Sequence, residues 1–106
     1  MTSAVPLQEI KNILLEIIHE LGREDNAIVL NQFTDRRDND AVALAQNVFP
    51  FIAKIQQDVI GRHGFTPNER GLLEFVHCVR FYEDQNEEIA RMHSRIRSYY
   101  LPPMKF

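Results

Sequence analysis

The sequence has few of the residues on which disulfides, flexible loops or membrane spans depend. Its 106 residues include one cysteine, four glycines, five prolines and no tryptophan. The single thiol, Cys78, cannot form an internal disulfide, which favours a reducing compartment. The longest uncharged apolar stretch, VFPFIA from Val48, is far shorter than the about 20 residues that a helix needs to span a bilayer. We therefore expect no membrane span and a cytoplasmic location.

The charged residues also limit the possible partners. Twelve basic and fifteen acidic side chains give a net charge of −3. Non-specific nucleic-acid binding needs a concentrated positive surface, so we expect no nucleic-acid partner. The N-terminal segment is not expected to be a signal peptide, because Gln8, Glu9 and Lys11 interrupt its apolar residues.

No spacing of reactive side chains predicts a catalytic or metal site. His77 precedes Cys78, but neighbouring helical residues point about 100° apart, and Cys78 shares a face with Phe75 and Tyr82, which indicates a core cysteine. The four histidines do not form an HExxH pattern, and the segment DRRDND lacks the glycine of a calcium loop. No phosphate loop is present. We expect no catalytic residue, no metal ion, no cofactor and no enzyme activity.

The apolar residues repeat with a helical period. Steps of three and four predict a first helix over residues 6–21, ended by Gly22. The polar segment 34–40 then either separates two helices or is a solvated stretch of one helix, and we favour the break. A kink or a helix junction is expected at Pro50, which falls inside the next apolar pattern.

Two capping boxes are predicted in the second half of the chain. TPNE has Thr66 as N-cap, Pro67 as the first helical residue and Glu69 bonding back to the cap. DQNE from Asp84 is an acidic equivalent and opens the last helix. The predicted fold is therefore a single all-α domain over residues 1–106, a compact bundle of about five helices with an extended proline-containing tail at 101–106.

The predicted helix 67–82 is apolar on most of its surface. Its only polar line consists of Arg70, Glu74 and His77, and Phe81 ends that line where a charge is expected. A helix of this kind lies either at the centre of its own bundle, which we favour, or against another chain. We select Phe81 and His77 as candidate interface residues.

Gln56 is a polar residue in the apolar stripe of the preceding helix. One interpretation is that it fixes register or partner choice. The other, which we favour, is that it lies at the edge of the stripe and reaches water.

The tail offers a second candidate interface. Its prolines cannot continue a helix, so a short extended segment follows the last helix. The segment either covers the core of its own chain or binds a groove on a partner. The candidate residues are Tyr99, Tyr100, Leu101, Pro102, Pro103, Met104 and Phe106.

Several short motifs, in order and at matching spacings, resemble the protein C10 family. They are IQQDVI from Ile55, Gly64-Phe65, GLLEF from Gly71, Tyr82-Glu83, EIA from Glu88 and LPPM from Leu101. The resemblance covers roughly residues 26–104. It implies a small helical cytoplasmic protein linked in vertebrates to brain development, and it implies no catalytic or binding residues.

Two function hypotheses follow. The first is a non-enzymatic protein-interaction module, a small helical subunit or adaptor of a larger assembly that binds a protein partner or associates with itself. The second is a helical domain that binds a small apolar ligand or lipid, with Met and Phe side chains lining a cavity.

Overall fold

The computed structural model describes residues 5–34 and 48–99. Five α-helices and no strand occur in these two ranges, which confirms the all-α prediction for the described residues. The helices are α1 Leu7–Leu21, α2 Glu24–Thr34, α3 Phe49–Gly61, α4 Glu69–Glu83 and α5 Glu87–Ser98. The first helix matches the predicted range 6–21. The break predicted within 34–40 and the tail at 101–106 lie mainly or wholly outside the described residues.

Helix α1 is the central element of the described part of the bundle. It contacts each of the other four helices. Five of its apolar side chains are fully buried, because their spacing of three and four places them on one face. They are Ile10, Ile13, Leu14, Ile17 and Leu21.

Helices α3, α4 and α5 complete a four-helix arrangement with α1. Helix α3 contacts α1 and α4, α5 contacts α4 and α1, and α4 contacts α3, α5 and, less extensively, α1. Helix α2 packs against α1 alone among the described helices. The expectation that helix 67–82 is the central helix is therefore wrong: α4 buries one face, through Phe75 and Val79, and leaves the opposite face exposed.

The start of α4 differs from the predicted capping box. The N-cap is Asn68, whose side-chain oxygen accepts a hydrogen bond of 2.9 Å from the Gly71 amide. Thr66 instead uses its backbone carbonyl, which accepts from the Asn68 amide at 2.9 Å. A side chain at Gly71 would overlap that carbonyl, so the helix can begin this way only with glycine at position 71.

Helix α5 also begins two residues later than predicted. Its N-cap is Asn86 rather than Asp84, and the Asn86 side chain accepts from the Ile89 amide at 3.1 Å. Asparagine is as good a cap as aspartate, and the two residues before Asn86 form the turn out of α4. The Asp84 capping box was therefore wrong.

Helix α3 begins close to the junction expected at Pro50. It starts at Phe49 with Pro50 in its first turn, where a missing N–H removes no helical hydrogen bond, so the structure has a helix start at the expected junction. Its end is closed by the Phe65 amide, which donates to the Ile60 carbonyl at 3.1 Å. Gly64 provides the positive φ of 94° that this turn requires.

Candidate interaction surface

The outer face of α4 carries the two most exposed large apolar side chains of the described residues. Leu73 is 62% exposed and Phe81 is 65% exposed, and His77 lies one turn from each on the same line. The name outer face is used below for seven residues that point away from the core. They are Arg70, Leu73, Glu74, His77, Arg80, Phe81 and Asp84.

The Phe81 ring is held at the surface by its neighbour. It meets the ring of Tyr82 edge to face, with centroids 5.1 Å apart and planes at 78°. The Tyr82 hydroxyl donates a hydrogen bond of 2.6 Å to the carbonyl of Val5, which attaches the segment before α1 to α4. A side chain positioned in this way loses little conformational freedom on binding a partner.

The outer face also carries four charges. Arg70, Glu74, Arg80 and Asp84 are all exposed, and none forms an ion pair or a side-chain hydrogen bond with another described residue. The described charges of α1, by contrast, are often paired, as in the 2.7 Å contact of Lys11 Nζ with Glu88 Oε1. The outer face thus combines exposed apolar side chains with charged groups that form no ion pair within the described residues.

Of the other candidate interface residues, the structure describes only Gln56 and Tyr99. Gln56 is only 6% exposed, so the expectation that it reaches water is wrong, and its side chain offers little surface to a partner of the folded chain. Tyr99 is half-buried and packs against the core. The remaining candidates, Tyr100 and the residues from Leu101 to Phe106, lie outside the described residues, so both accounts of the tail stay predictions.

A histidine between two carboxylates joins the end of α3 to α1. His63 Nδ1 lies 3.0 Å from Glu9 Oε1, and its Nε2 lies 2.8 Å from Glu16 Oε1. Arg62 Nη1 contacts Glu16 Oε2 at 2.6 Å. When the imidazole is protonated both of its N–H groups donate, so the charged form satisfies both carboxylates.

These contacts shift the protonation of both partners. The hydrogen bond that His63 donates to Glu16 raises the pKa of His63 above its usual 6.5; burial opposes this shift, and the bond to Glu9 adds to it. The hydrogen bond from His63 lowers the pKa of Glu16, Arg62 adds to this effect, and burial opposes it. Both shifts favour the charged forms of His63 and Glu16, which are the forms that attract each other.

The His63 cluster should make stability fall as pH rises above about 6.5. Because the pKa of His63 is raised in the folded state, its stabilisation is complete below 6.5 and is lost as pH rises through the folded value. Glu16 behaves oppositely, since its stabilisation is lost only as pH falls below about 4.5. Urea unfolding between pH 6 and pH 8.5 measures the fall.

Two glutamine variants test whether His63 causes this pH dependence. His63→Gln should flatten the fall, because glutamine cannot be protonated in this range. His77→Gln should retain it, since His77 is exposed and has no carboxylate partner among the described residues. An unchanged slope in His63→Gln would contradict the assignment.

Cys78 has the environment of a packed thiol. It is half-buried and packs against the core, in the group that also contains Tyr82. Burial raises the pKa of the thiol, and the nearby charge of Glu74 raises it further, so thiolate formation is disfavoured. No group of three or more His, Cys, Asp or Glu side chains suited to a metal ion occurs within residues 5–34 and 48–99.

The acidic partners of His63 were missed in the sequence. Glu9 and Glu16 are seven residues apart and therefore share a face of α1, which is a signal that two carboxylates could meet one group. On sequence alone, the position of His63 is explained by the favourable location of a histidine at the end of a helix. Its contact with a helix some fifty positions earlier depends on tertiary packing, which no local pattern encodes.

The fold and the outer face of α4 define the class of protein: a small all-α helical bundle with an exposed, partly apolar surface. None of the described helices is long and apolar enough to cross a membrane. The family model described as Protein C10 matches residues 6–106. The chain belongs to the Protein C10 family.

Individual relatives agree with this assignment. The chain is 34% identical to Protein C10 of Xenopus tropicalis over 101 residues, which are 95% of this chain and 79% of the frog protein. It is 33% identical to Protein C10 of Homo sapiens over 102 residues, 96% of this chain and 81% of the human protein. The identity to Protein C10 of Danio rerio is 33% over 98 residues, 92% of this chain and 80% of the fish protein. No solved structure matches the chain.

Proposed function

We propose that this protein is a non-enzymatic interaction module whose contact surface is the outer face of α4. The observation that supports the proposal is Phe81, which is 65% exposed on a helix whose other aromatic residues pack inward. Aromatic side chains are enriched at the centres of protein interfaces, and polar groups surround them at the rim. The function is that of a subunit or adaptor within an assembly.

Substitution of Phe81 by glutamate tests this function. Affinity-tagged wild type, Phe81→Glu and Leu15→Glu are compared for the proteins that they retain from an extract of cells that make the protein. Leu15 is the matched control, because it is also apolar and 55% exposed but lies on α1. Phe81→Glu should reduce specific retention at least about tenfold, as expected for a central interface residue, while Leu15→Glu should not.

Circular dichroism separates loss of binding from loss of fold. Both variants should keep the helical signal of the wild type, because neither side chain contributes to the core. Equal retention by wild type and Phe81→Glu would contradict the proposed surface. The alternative, a domain for an apolar ligand or lipid, would be supported by a rise in melting temperature on adding such a ligand.

The cytoplasm is the proposed compartment. The unpaired Cys78 supports a reducing environment. A role in brain development is proposed on the family resemblance alone.

A further inference from the structure

The lysines and arginines of residues 5–34 and 48–99 divide into two groups by location. Those outside α4 and α5 all form ion pairs, and they are Lys11, Arg23, Lys54 and Arg62. Those on α4 and α5 are all arginines and form no ion pair within the same ranges; they are Arg70, Arg80, Arg91, Arg95 and Arg97. Unpaired guanidinium groups are thus concentrated on two helices that contact each other.

Helix α5 has an excess of positive charge in its second half. From Arg91 to Ser98 it carries three arginines and no acidic residue, and all three arginines are exposed. The outer face of α4, by contrast, has two arginines and two acids and therefore no net charge. The name basic segment is used below for residues 91–98 of α5.

The acids at the start of α5 do not neutralise the basic segment. Glu88 Oε1 lies 2.7 Å from Lys11 Nζ of α1. The hydrogen bond from Lys11 is the main cause that lowers the pKa of Glu88, and the charge of Arg91 contributes least to that shift. Glu87 lies four residues before Arg91 but forms no ion pair within the described residues. The basic segment therefore keeps its charge available for another molecule.

Helix stability does not account for all three arginines. The macrodipole favours Arg95 and Arg97, which lie in the last turn of α5, but its effect does not extend back to Arg91. Arg91 and Arg95 are four residues apart, and like charges at this spacing destabilise a helix slightly. A carboxylate-bearing partner would relieve this repulsion.

We propose that the basic segment binds a helix of a partner protein that carries two carboxylates four residues apart. Arg91 and Arg95 are neighbours on the helix surface, with Cβ atoms about 5–6 Å apart, and carboxylates four residues apart on a second helix have the same spacing. Rows of residues four apart lie alongside each other in the commonest class of helix packing. A guanidinium group binds a carboxylate through two parallel hydrogen bonds, which lysine cannot do.

An acidic protein helix fits this surface better than a nucleic acid does. A nucleic acid presents charges of one sign along its whole length. Glu87 and Glu88 directly precede the basic segment and would repel a strand that continues along α5. A protein helix can place a neutral or basic residue at that point. The net charge of −3 also opposes the approach of a long polyanion.

The contact is expected to be weak and sensitive to salt. Exposed charge pairs add little to affinity and are screened by ions, so their main effect is to select and orient a partner. The inference concerns a second surface and does not depend on the outer face of α4.

The probe for this surface is an alanine-based helical peptide with glutamates at two positions four residues apart. Backbone amide resonances of Arg91 and Arg95 should shift in a saturable way when the peptide is added at low salt. In Arg91→Glu/Arg95→Glu the affinity should fall at least about tenfold, because two attractive contacts become repulsive. The same variant should bind the peptide in which lysines replace both glutamates, which the wild type should not bind.

Arg23→Glu/Lys54→Glu is the matched control. It makes the same change in net charge at exposed cations that already have carboxylate partners, so it should bind the glutamate peptide as the wild type does. If Arg91→Glu/Arg95→Glu loses its helical circular dichroism signal, Arg91→Gln/Arg95→Gln replaces it, since glutamine is favourable in a helix. The affinity of this variant for the glutamate peptide should also fall, and an unchanged affinity would overturn the proposal.

Three further results would contradict the proposed partner. They are a wild type whose resonances do not shift, shifts centred on another helix, and a folded charge-reversed variant that does not bind the lysine peptide. Tighter binding of a single-stranded oligothymidylate than of the glutamate peptide would also overturn the proposal, because it would indicate a nucleic-acid surface. Phe81→Glu leaves α5 unchanged, so failure of the proposed function and failure of this inference are distinguishable.

Discussion

Replacing Gly71 by alanine is expected to destabilise the fold by at least about 2 kcal/mol. The added methyl carbon would lie 2.7 Å from the carbonyl carbon of Thr66 and closer still to its oxygen. That carbonyl cannot move freely, since it accepts a hydrogen bond from Asn68, the cap of the same helix. Relief of the overlap would therefore disturb the cap and the first turn of α4 together.

Gly22→Ala is the matched control for Gly71→Ala. Gly22 follows α1 with φ −88°, and a methyl group there lies 3.4 Å or more from its neighbours. Alanine should change the free energy of unfolding by no more than about 0.5 kcal/mol at this position. Urea unfolding compares the two variants. Similar stabilities for Gly71→Ala and the wild type would contradict the close approach to Thr66.

Replacing Phe75 by alanine is expected to lower the free energy of unfolding by about 3–5 kcal/mol. Phe75 is 2% exposed and is the largest side chain that α4 sends into the core. Its ring meets Phe65 edge to face, with centroids 5.6 Å apart and planes at 81°. Truncation therefore removes buried area, leaves a cavity and breaks an aromatic contact at once.

Phe81→Ala on the same helix provides the comparison. The residue type and the truncation are the same, but Phe81 is 65% exposed, so the variant should stay within about 0.5 kcal/mol of wild type when unfolded at low protein concentration. Low concentration matters because self-association would add stability by mass action. A large loss for Phe81→Ala in dilute solution would mean that Phe81 serves the fold of its own chain.

The periodic part of this fold was predictable from sequence. The steps of three and four in α1 fixed its range to within one residue, because a long amphipathic helix repeats the same signal over four turns. The sequence could not show that α1 is central. An apolar helix and a central helix have similar composition, and only packing reveals that Leu73 and Phe81 point outward while the apolar residues of α1 do not.

The predicted starts of α4 and α5 lie two residues too early, and both errors have the same cause. Each start contains two good capping residues, Thr66 with Asn68 and Asp84 with Asn86, and local preference does not distinguish them. Local backbone geometry decides between Thr66 and Asn68, since the Thr66 carbonyl lies against Gly71.

The candidate surface was only partly visible in advance. Phe81 was identified because it ends the polar line of Arg70, Glu74 and His77, and that signal is local to one helix. The exposed face as a whole could be recognised only when the structure showed which residues of α4 face outward. Gln56 was misplaced because the spacing that puts a side chain in a stripe does not say how deeply the neighbouring helices cover it.

NMR spectra recorded with and without the proteins that the wild type retains test most directly whether the outer face of α4 is a contact surface. Backbone amide resonances of Leu73, His77 and Phe81 should shift or broaden when these proteins are added, while those around Leu15 on α1 should not. Spectra that do not change, or changes that leave α4 unaffected, would contradict the proposed contact surface.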